Sequence, residues 1–207
     1  MTQPPVAPLS ESPVASGPAD PEDPDDPNET GDRWVFGYGS LMWRPGFTFE
    51  ERQPALLHGY HRDMCVRSIR YRGTPERPGL VLGLRQSGSC RGIAYRVAAP
   101  AWRAVKAYLY EREMVTYAYR PRFGVVALDD GRRVNGYTFV ADPNHPQYAG
   151  DLDLSERVAL ICQGVGPSGS SRDYLASTVA HLDDLGIGDS HLHRLLIWVD
   201  DASNGQG

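Results

Sequence analysis

Several things are missing from this sequence, and each absence narrows it. Its 207 residues contain no apolar run approaching the ~18–20 that a bilayer-spanning helix needs, which excludes a helical membrane protein. The first thirty residues lack the basic start and apolar stretch of a secretory signal. Cysteine is scarce: Cys65, Cys90 and Cys162 stand singly, an odd number with no C-x-x-C spacing. That argues against a disulfide framework or a zinc site and makes a reducing cytoplasm the expected compartment. Cys65 stands between Met64 and Val66, and buried packing is expected for all three. No H-E-x-x-H pair occurs among the six histidines, and His191 and His193 would leave a helix on different faces, so no metal or other cofactor is expected. Lysine is nearly absent, with Lys106 alone against 20 arginines.

What is present suits one globular domain: 41% hydrophobic and 23% charged residues, close to the globular average. The net charge of -5 is unevenly spread. Residues 1–32 hold eight acids, no Lys or Arg, and eight of the 17 prolines, leaving a body of 33–207 with 21 bases against 18 acids. Such a segment buries too little apolar surface to offset the entropy of ordering, so 1–32 is expected to be a disordered leader. The domain is expected over 33–200, with a flexible tail over 201–207. A near-neutral body without an RNP-like motif predicts no nucleic-acid partner.

Strand patterns run over Trp34–Phe36, Ala55–Tyr60, Met64–Ser68, Leu80–Leu84, Gly92–Val97, Phe123–Leu128 and Val134–Val140. Turn chemistry separates them at Arg77-Pro78-Gly79, Ser87-Gly88-Ser89 and Asp129-Asp130-Gly131, the last predicting a hairpin. Helices are predicted from Pro100 to about Glu113, over Ser155–Gln163, Arg172–Leu185 and Ser190–Val199. Strands first and helices late predict an α+β fold, its mixed and mostly antiparallel sheet curled into a small barrel with flanking helices.

The sharpest chemical signal is Glu113. Val105, Leu109 and Glu113 are spaced i, i+4, i+8 and stack on one helix face, which the first two mark as buried. A carboxylate in an apolar setting has a raised pKa, as a general base working near neutrality requires. The structural alternative is a partly buried ion pair with Arg112 or Arg120. A second candidate is Gly37-Tyr38-Gly39-Ser40-Leu41, directly after a strand. Its glycines would let backbone amides approach a carboxylate or oxyanion, unless the loop is simply a tight turn around a packed Tyr38. Gly164 to Gly169 match G-x-G-x-x-G, but a helix precedes them and Ser170 stands where a P-loop needs lysine, so a helix–helix connection capped by Ser170 or Ser171 is expected. Arg67, Arg70 and Arg72 alternate as if on one strand face, where they could clamp carboxylates or simply face solvent.

Four blocks then occur in order: Val35 through Trp43, Tyr71 through Gly79, Glu111-Arg112-Glu113-Met114, and Gly166-Pro167-Ser168-Gly169. Together they resemble the ChaC family, the glutathione-specific gamma-glutamylcyclotransferases, over about Trp34 to Val199. The resemblance implies a small barrel-like α/β fold and cofactor-free cleavage of glutathione to 5-oxo-L-proline and L-cysteinylglycine. It places the catalytic glutamate on Glu113 and substrate binding on Val35, Phe36, Gly37, Tyr38, Gly39 and Ser40, to which the amide of Leu41 is added as a candidate. Two departures stand out: Ser171 where many relatives have Asn, and Met114-Val115-Thr116-Tyr117 where animal members have Lys-Gly-Gly-Tyr. The chemistry fits a chain without an evident nucleophile, because a γ-glutamyl compound carries its own in the α-amino group. Arg72 and Tyr148 are further candidates for supporting the pocket. Two other functions suit the same fold: cyclisation of other γ-glutamyl amino acids or amines, and a non-catalytic binding or regulatory role.

Overall fold

The computed structural model describes residue 24 and residues 31–204, so most of the expected leader and the last three residues of the expected tail lie outside the described residues. Five strands make a closed barrel: β1 (Arg33–Gly37), β2 (Glu51–Ser68), β3 (Gly79–Val97), β4 (Tyr119–Leu128) and β5 (Arg133–Ala141), in the order β1-β3-β2-β4-β5. Every neighbouring pair is antiparallel except the closing one, where Trp34 and Val35 of β1 run parallel to Gly136 and Tyr137 of β5. Closure leaves no edge strand to pair elsewhere. Phe36, Leu57, Ile93, Tyr95, Tyr137 and Phe139 are fully buried, with Trp102 edge-on to Tyr137 at 5.3 Å between ring centroids.

Helix α1 (Trp102–Glu113) joins β3 to β4 after a 3-10 turn over Ala99–Ala101, so Pro100 sits in that turn rather than in the α-helix. The amide of Ala99 is capped by Asp32, which also pairs with Arg96. Asp32, placed in the leader by its charge, thus attaches to the domain. Helices α2 (Leu154–Gln163), α3 (Ser171–Asp184) and α4 (Ser190–Asn204) pack together at the end of the chain. Asp153 and Glu156 form a reciprocal capping box at the start of α2. Helix α4 continues four residues past the expected boundary at 200: Arg172 holds Asp200 at 2.9 Å, and Ser203 Oγ donates back to Val199 O. Among the described residues no helix is long and apolar enough to cross a membrane.

The predicted strand pairs 55–60 with 64–68, and 80–84 with 92–97, are each one long bent strand. Gly59, Ser87 and Gly88 all have positive φ where the β2–β3 register shifts, so the Ser-Gly-Ser segment is a bulge and not a turn. Bulges and turns draw on the same left-handed backbone chemistry. The hairpin at Asp129-Asp130-Gly131 forms as read, with Gly131 at φ +90. Cys65 and Cys90 are buried, but Cys162 is exposed on α2, its Sγ 3.6 Å from Ser203 Oγ.

Two of the blocks that carried the family resemblance meet here. Gly164 to Ser170 form a two-strand hairpin, β6 (Val165–Gly166) and β7 (Gly169–Ser170), between α2 and α3, and Ser170 caps α3 through the amide of Asp173. This hairpin lies against the backbone of 71–79. A Cβ on Gly166 would stand 2.5 Å from Tyr71 O, and one on Gly164 2.3 Å from Gly79 Cα. Ser171 Oγ both accepts from Leu80 N and donates to Leu80 O. Overpacking of backbone costs about 1–3 kcal/mol. Gly166→Ala is therefore expected to lower the unfolding free energy by that amount in a urea titration, and an unchanged midpoint would mean that the 71–79 segment yields freely.

Candidate active site

The stripe on α1 is arranged as its spacing implies: Val105 and Leu109 are buried, and Glu113 follows them as the last helical residue. Its side chain is 21% exposed and opens into a cavity of ≈ 50 Å³. Tyr38, Gly39, Ser40 and Leu41 form one wall, and Leu82, Tyr119 and Tyr174 stand on another. A neighbouring cavity of ≈ 190 Å³, bordered by Arg67, Arg70 and Tyr71, shares Ser40, Glu113 and Tyr119 with the first. The two make one cleft with Glu113 at their junction.

The loop after β1 is held from behind by its own carbonyls. Thr138 Oγ1 donates to Phe36 O at 3.0 Å and Arg62 Nε to Tyr38 O at 2.5 Å. Tyr95 Oη donates to both Leu41 O and Met42 O, at 2.9 and 2.8 Å. The loop then enters a 3-10 turn over Ser40–Met42, with Met42 N bonded to Gly39 O. The amides of Gly39, Ser40 and Leu41 precede the first acceptor that the turn supplies and, among the described residues, bond to no backbone carbonyl. The carbonyls of the loop are thus fixed from the barrel side, while its residues Tyr38 to Leu41 line the cleft.

Arg112 ties helix to loop. Its Nη2 donates to Ser40 Oγ at 2.9 Å and its Nη1 to Arg44 O at 2.7 Å, while Nε lies 3.3 Å from Glu113 Oε1. Part of the structural alternative is thus realised through Arg112; Arg120 instead pairs with Asp142 at 2.7 Å. Even so, burial raises the Glu113 pKa above the ordinary glutamate value, and Arg112 offsets only part of the rise. Burial likewise pushes the phenols of Tyr38 and Tyr119 well up, and that of Tyr174 to about 12, with the nearby Glu113 charge adding to each. All three therefore stay neutral at pH 7. Tyr119 already spends its proton on Leu82 O at 2.6 Å. Among the described residues no three His, Cys, Asp or Glu side chains converge as metal ligands would.

The family model described as ChaC-like protein matches residues 33–202. The chain belongs to the ChaC-like family. It is 40% identical over 171 residues to a glutathione-specific gamma-glutamylcyclotransferase of Escherichia coli (strain K12), covering 83% of this chain and 74% of that one. It is 31% identical to gamma-glutamylcyclotransferase 2-3 of Arabidopsis thaliana, covering 78% and 85%. In fold it is similar to a crystal structure of a gamma-glutamyl cyclotransferase specific to glutathione from yeast, with TM-score 0.75 at 23% identity, covering 83% of this chain and 97% of that chain.

In this ChaC-like chain, not all of the expected site residues reach the cleft. Tyr38 to Leu41 line it beside Glu113; Val35 and Phe36 are fully buried in β1 and line neither cavity, and Gly37 packs against Leu41. Of the three alternating arginines only Arg67 lies in β2, which ends at Ser68, so they share no strand face. Arg67 and Arg70 border the larger cavity, whereas Arg72 clamps Ser168 O and lies over the Tyr174 ring at 5.2 Å. Tyr148 Oη accepts from Arg85 and lines neither cavity, although its carbonyl takes a hydrogen bond from Arg67, which borders the larger one. Tyr119 and Tyr174 were not anticipated. A lone tyrosine in a strand or a helix carries no spacing signal that separates a cleft wall from core packing.

Proposed function

We propose that this chain is a glutathione-specific gamma-glutamylcyclotransferase that cleaves glutathione to 5-oxo-L-proline and L-cysteinylglycine, with Glu113 as general base and acid. One observation carries the reading: a carboxylate of raised pKa shares a small cavity with the free amides of a clamped turn. Family membership and the names of the relatives point to the same substrate.

The steps follow from the atoms available. Glu113 takes a proton from the substrate α-ammonium, since only the free amine has a lone pair to give. That nitrogen attacks the γ-carbonyl carbon, a new C–N bond closes the five-membered ring, and negative charge moves to the carbonyl oxygen. The amides of Gly39 to Leu41 are placed to hold that charge or the α-carboxylate. The intermediate collapses by breaking the bond to the cysteinyl nitrogen. Two protons leave the α-nitrogen and two arrive at the departing nitrogen, Glu113 carrying them one at a time. Folding the substrate into its cyclising shape supplies the rest, because well-oriented intramolecular reactions gain about 7–11 kcal/mol. No enzyme nucleophile is needed. We place the reaction in the cytoplasm, where three unpaired thiols are stable.

The test is to incubate the purified chain with glutathione and, separately, with γ-glutamyl-alanine, and to assay 5-oxoproline. Formation from glutathione alone is expected. Equal formation from both would move the chain to the broader γ-glutamyl class, and none from either would leave a binding protein.

A further inference from the structure

A second cavity, much larger at ≈ 690 Å³, lies between the β2–β3 ribbon and the α2–α4 pair and shares no lining residue with the Glu113 cleft. Its volume falls within the ~300–1,000 Å³ typical of small-molecule sites. Four guanidiniums border it (Arg62, Arg85, Arg91 and Arg157) against two carboxylates, Asp63 and Asp189. Both carboxylates are already engaged by the protein. Asp63 accepts from Arg157, Arg85 and His191, and Asp189 from Arg62 at 2.9 Å. The excess of positive charge is therefore uncompensated. Among the described residues the Arg91 side chain has no hydrogen bond or ion pair, and Arg85 commits only Nε and Nη1. On the same cavity, Leu154 and Trp198 keep 42% and 40% of their surface exposed, two of the few large apolar residues that do.

We propose that this cavity is a second ligand site, for a small organic anion whose phosphate or carboxylate pairs with Arg91 and Arg85 while its apolar body covers Leu154 and Trp198. A neutral or cationic ligand would leave the guanidinium excess unpaired, and a bare anion would leave the apolar surface wet. The site is joined to the catalytic turn. Arg62 holds Asp189 on the cavity side and, through Nε, the carbonyl of Tyr38 on the other. An anion that draws on the cavity's guanidiniums changes the field on Asp189–Arg62 and so the hold on Tyr38. This regulatory consequence rests on the cyclotransferase reading of the turn; the binding does not.

Fluorescence of Trp198, isolated as the difference between the native chain and Trp198→Phe, reports occupancy without turnover. The probes are adenosine monophosphate and phenylacetate, which carry a phosphate and a carboxylate on a flat body, with adenosine and inorganic phosphate as the uncharged and bodiless controls. At least one of the first two is expected to saturate below about 10 mM, and the stronger of them identifies the anionic group. Both controls are expected to bind at least tenfold more weakly. Arg91→Ala should weaken the bound anion by about ten- to hundredfold, the scale of a lost charge-assisted hydrogen bond. Binding should also change kcat/KM for glutathione with the same half-saturation. The site is refuted if neither anion gives a Trp198-dependent signal, if Arg91→Ala binds like the native chain, or if the signal follows protein concentration alone, as a contact between copies would. Saturable binding with unchanged kcat/KM would overturn the link through Arg62.

Discussion

Glu113→Gln is expected to cut 5-oxoproline formation from glutathione by about 10²–10⁴-fold, the usual worth of a positioned general base. Glutamine keeps the length and shape of the side chain and can still face Arg112, so the change isolates proton transfer from packing. Two further readouts separate a base from a merely structural carboxylate. Because burial raises the Glu113 pKa above its ordinary value of 4.5, the acid limb of kcat/KM should lie above that value in the native chain and vanish in the variant. The stability effect runs the opposite way. A carboxyl whose folded pKa is raised favours the folded state fully below its unfolded pKa, and that advantage is lost as pH rises through the folded value. At pH 7 the native chain therefore carries an ionised group in a poorly solvated place, and Glu113→Gln should raise the thermal midpoint there. Normal turnover by a stabilised Glu113→Gln variant would remove Glu113 from the mechanism.

Glu113 was legible because helical spacing is local: Val105 and Leu109 mark the face, and four more residues complete a turn and a little over. The barrel was legible for a similar reason, since alternation and turn residues are also short-range signals. The failures are long-range. Ser87-Gly88 reads as a turn or as a bulge depending on whether a strand continues opposite it, and only the pairing of β2 with β3 decides. Arg72 offers the same five donors wherever it points, and the Ser168 carbonyl that takes one of them is 96 residues away in sequence. Tyr95 and Arg62 hold the turn that lines the cleft from across the barrel, at separations of 54 and 24 residues. In sequence each is an ordinary strand residue. Of the stretch that the family resemblance marks for substrate binding, Tyr38 to Ser40 line the cleft, while Val35 and Phe36 are buried in β1, a difference set by the strand's place in the barrel and not by any local pattern.

The second large effect concerns stability. Asp63 is 1% exposed on β2, and both its oxygens lie 2.6 Å from Arg157 Nη1 of α2. Arg85 of β3 and His191 of α4 each approach it at 3.1 Å. One carboxylate thus joins the barrel to two helices. Burial works to raise its pKa, but the hydrogen bonds from His191 and Arg157, the Arg157 charge and the Arg85 hydrogen bond together outweigh that and hold it well below the carboxylate range. Asp63→Asn keeps the shape, removes the charge and replaces one acceptor oxygen with a donor. Arg157, whose side chain is only 10% exposed, is left without a counter-charge. Breaking a buried pair from one side costs about 3–5 kcal/mol, since the remaining charge cannot recover its hydration. The urea midpoint of Asp63→Asn at pH 7 should fall accordingly. The pH dependence supplies the control. A depressed folded pKa means that Asp63 contributes its full stability above the ordinary aspartate value of 3.8 and loses it as pH falls below that toward the folded value. The gap between native and variant midpoints should therefore narrow as pH falls below the ordinary aspartate value. Equal midpoints at pH 7 would show that the helices are held to the barrel by their apolar faces alone, with the Asp63 cluster a passenger.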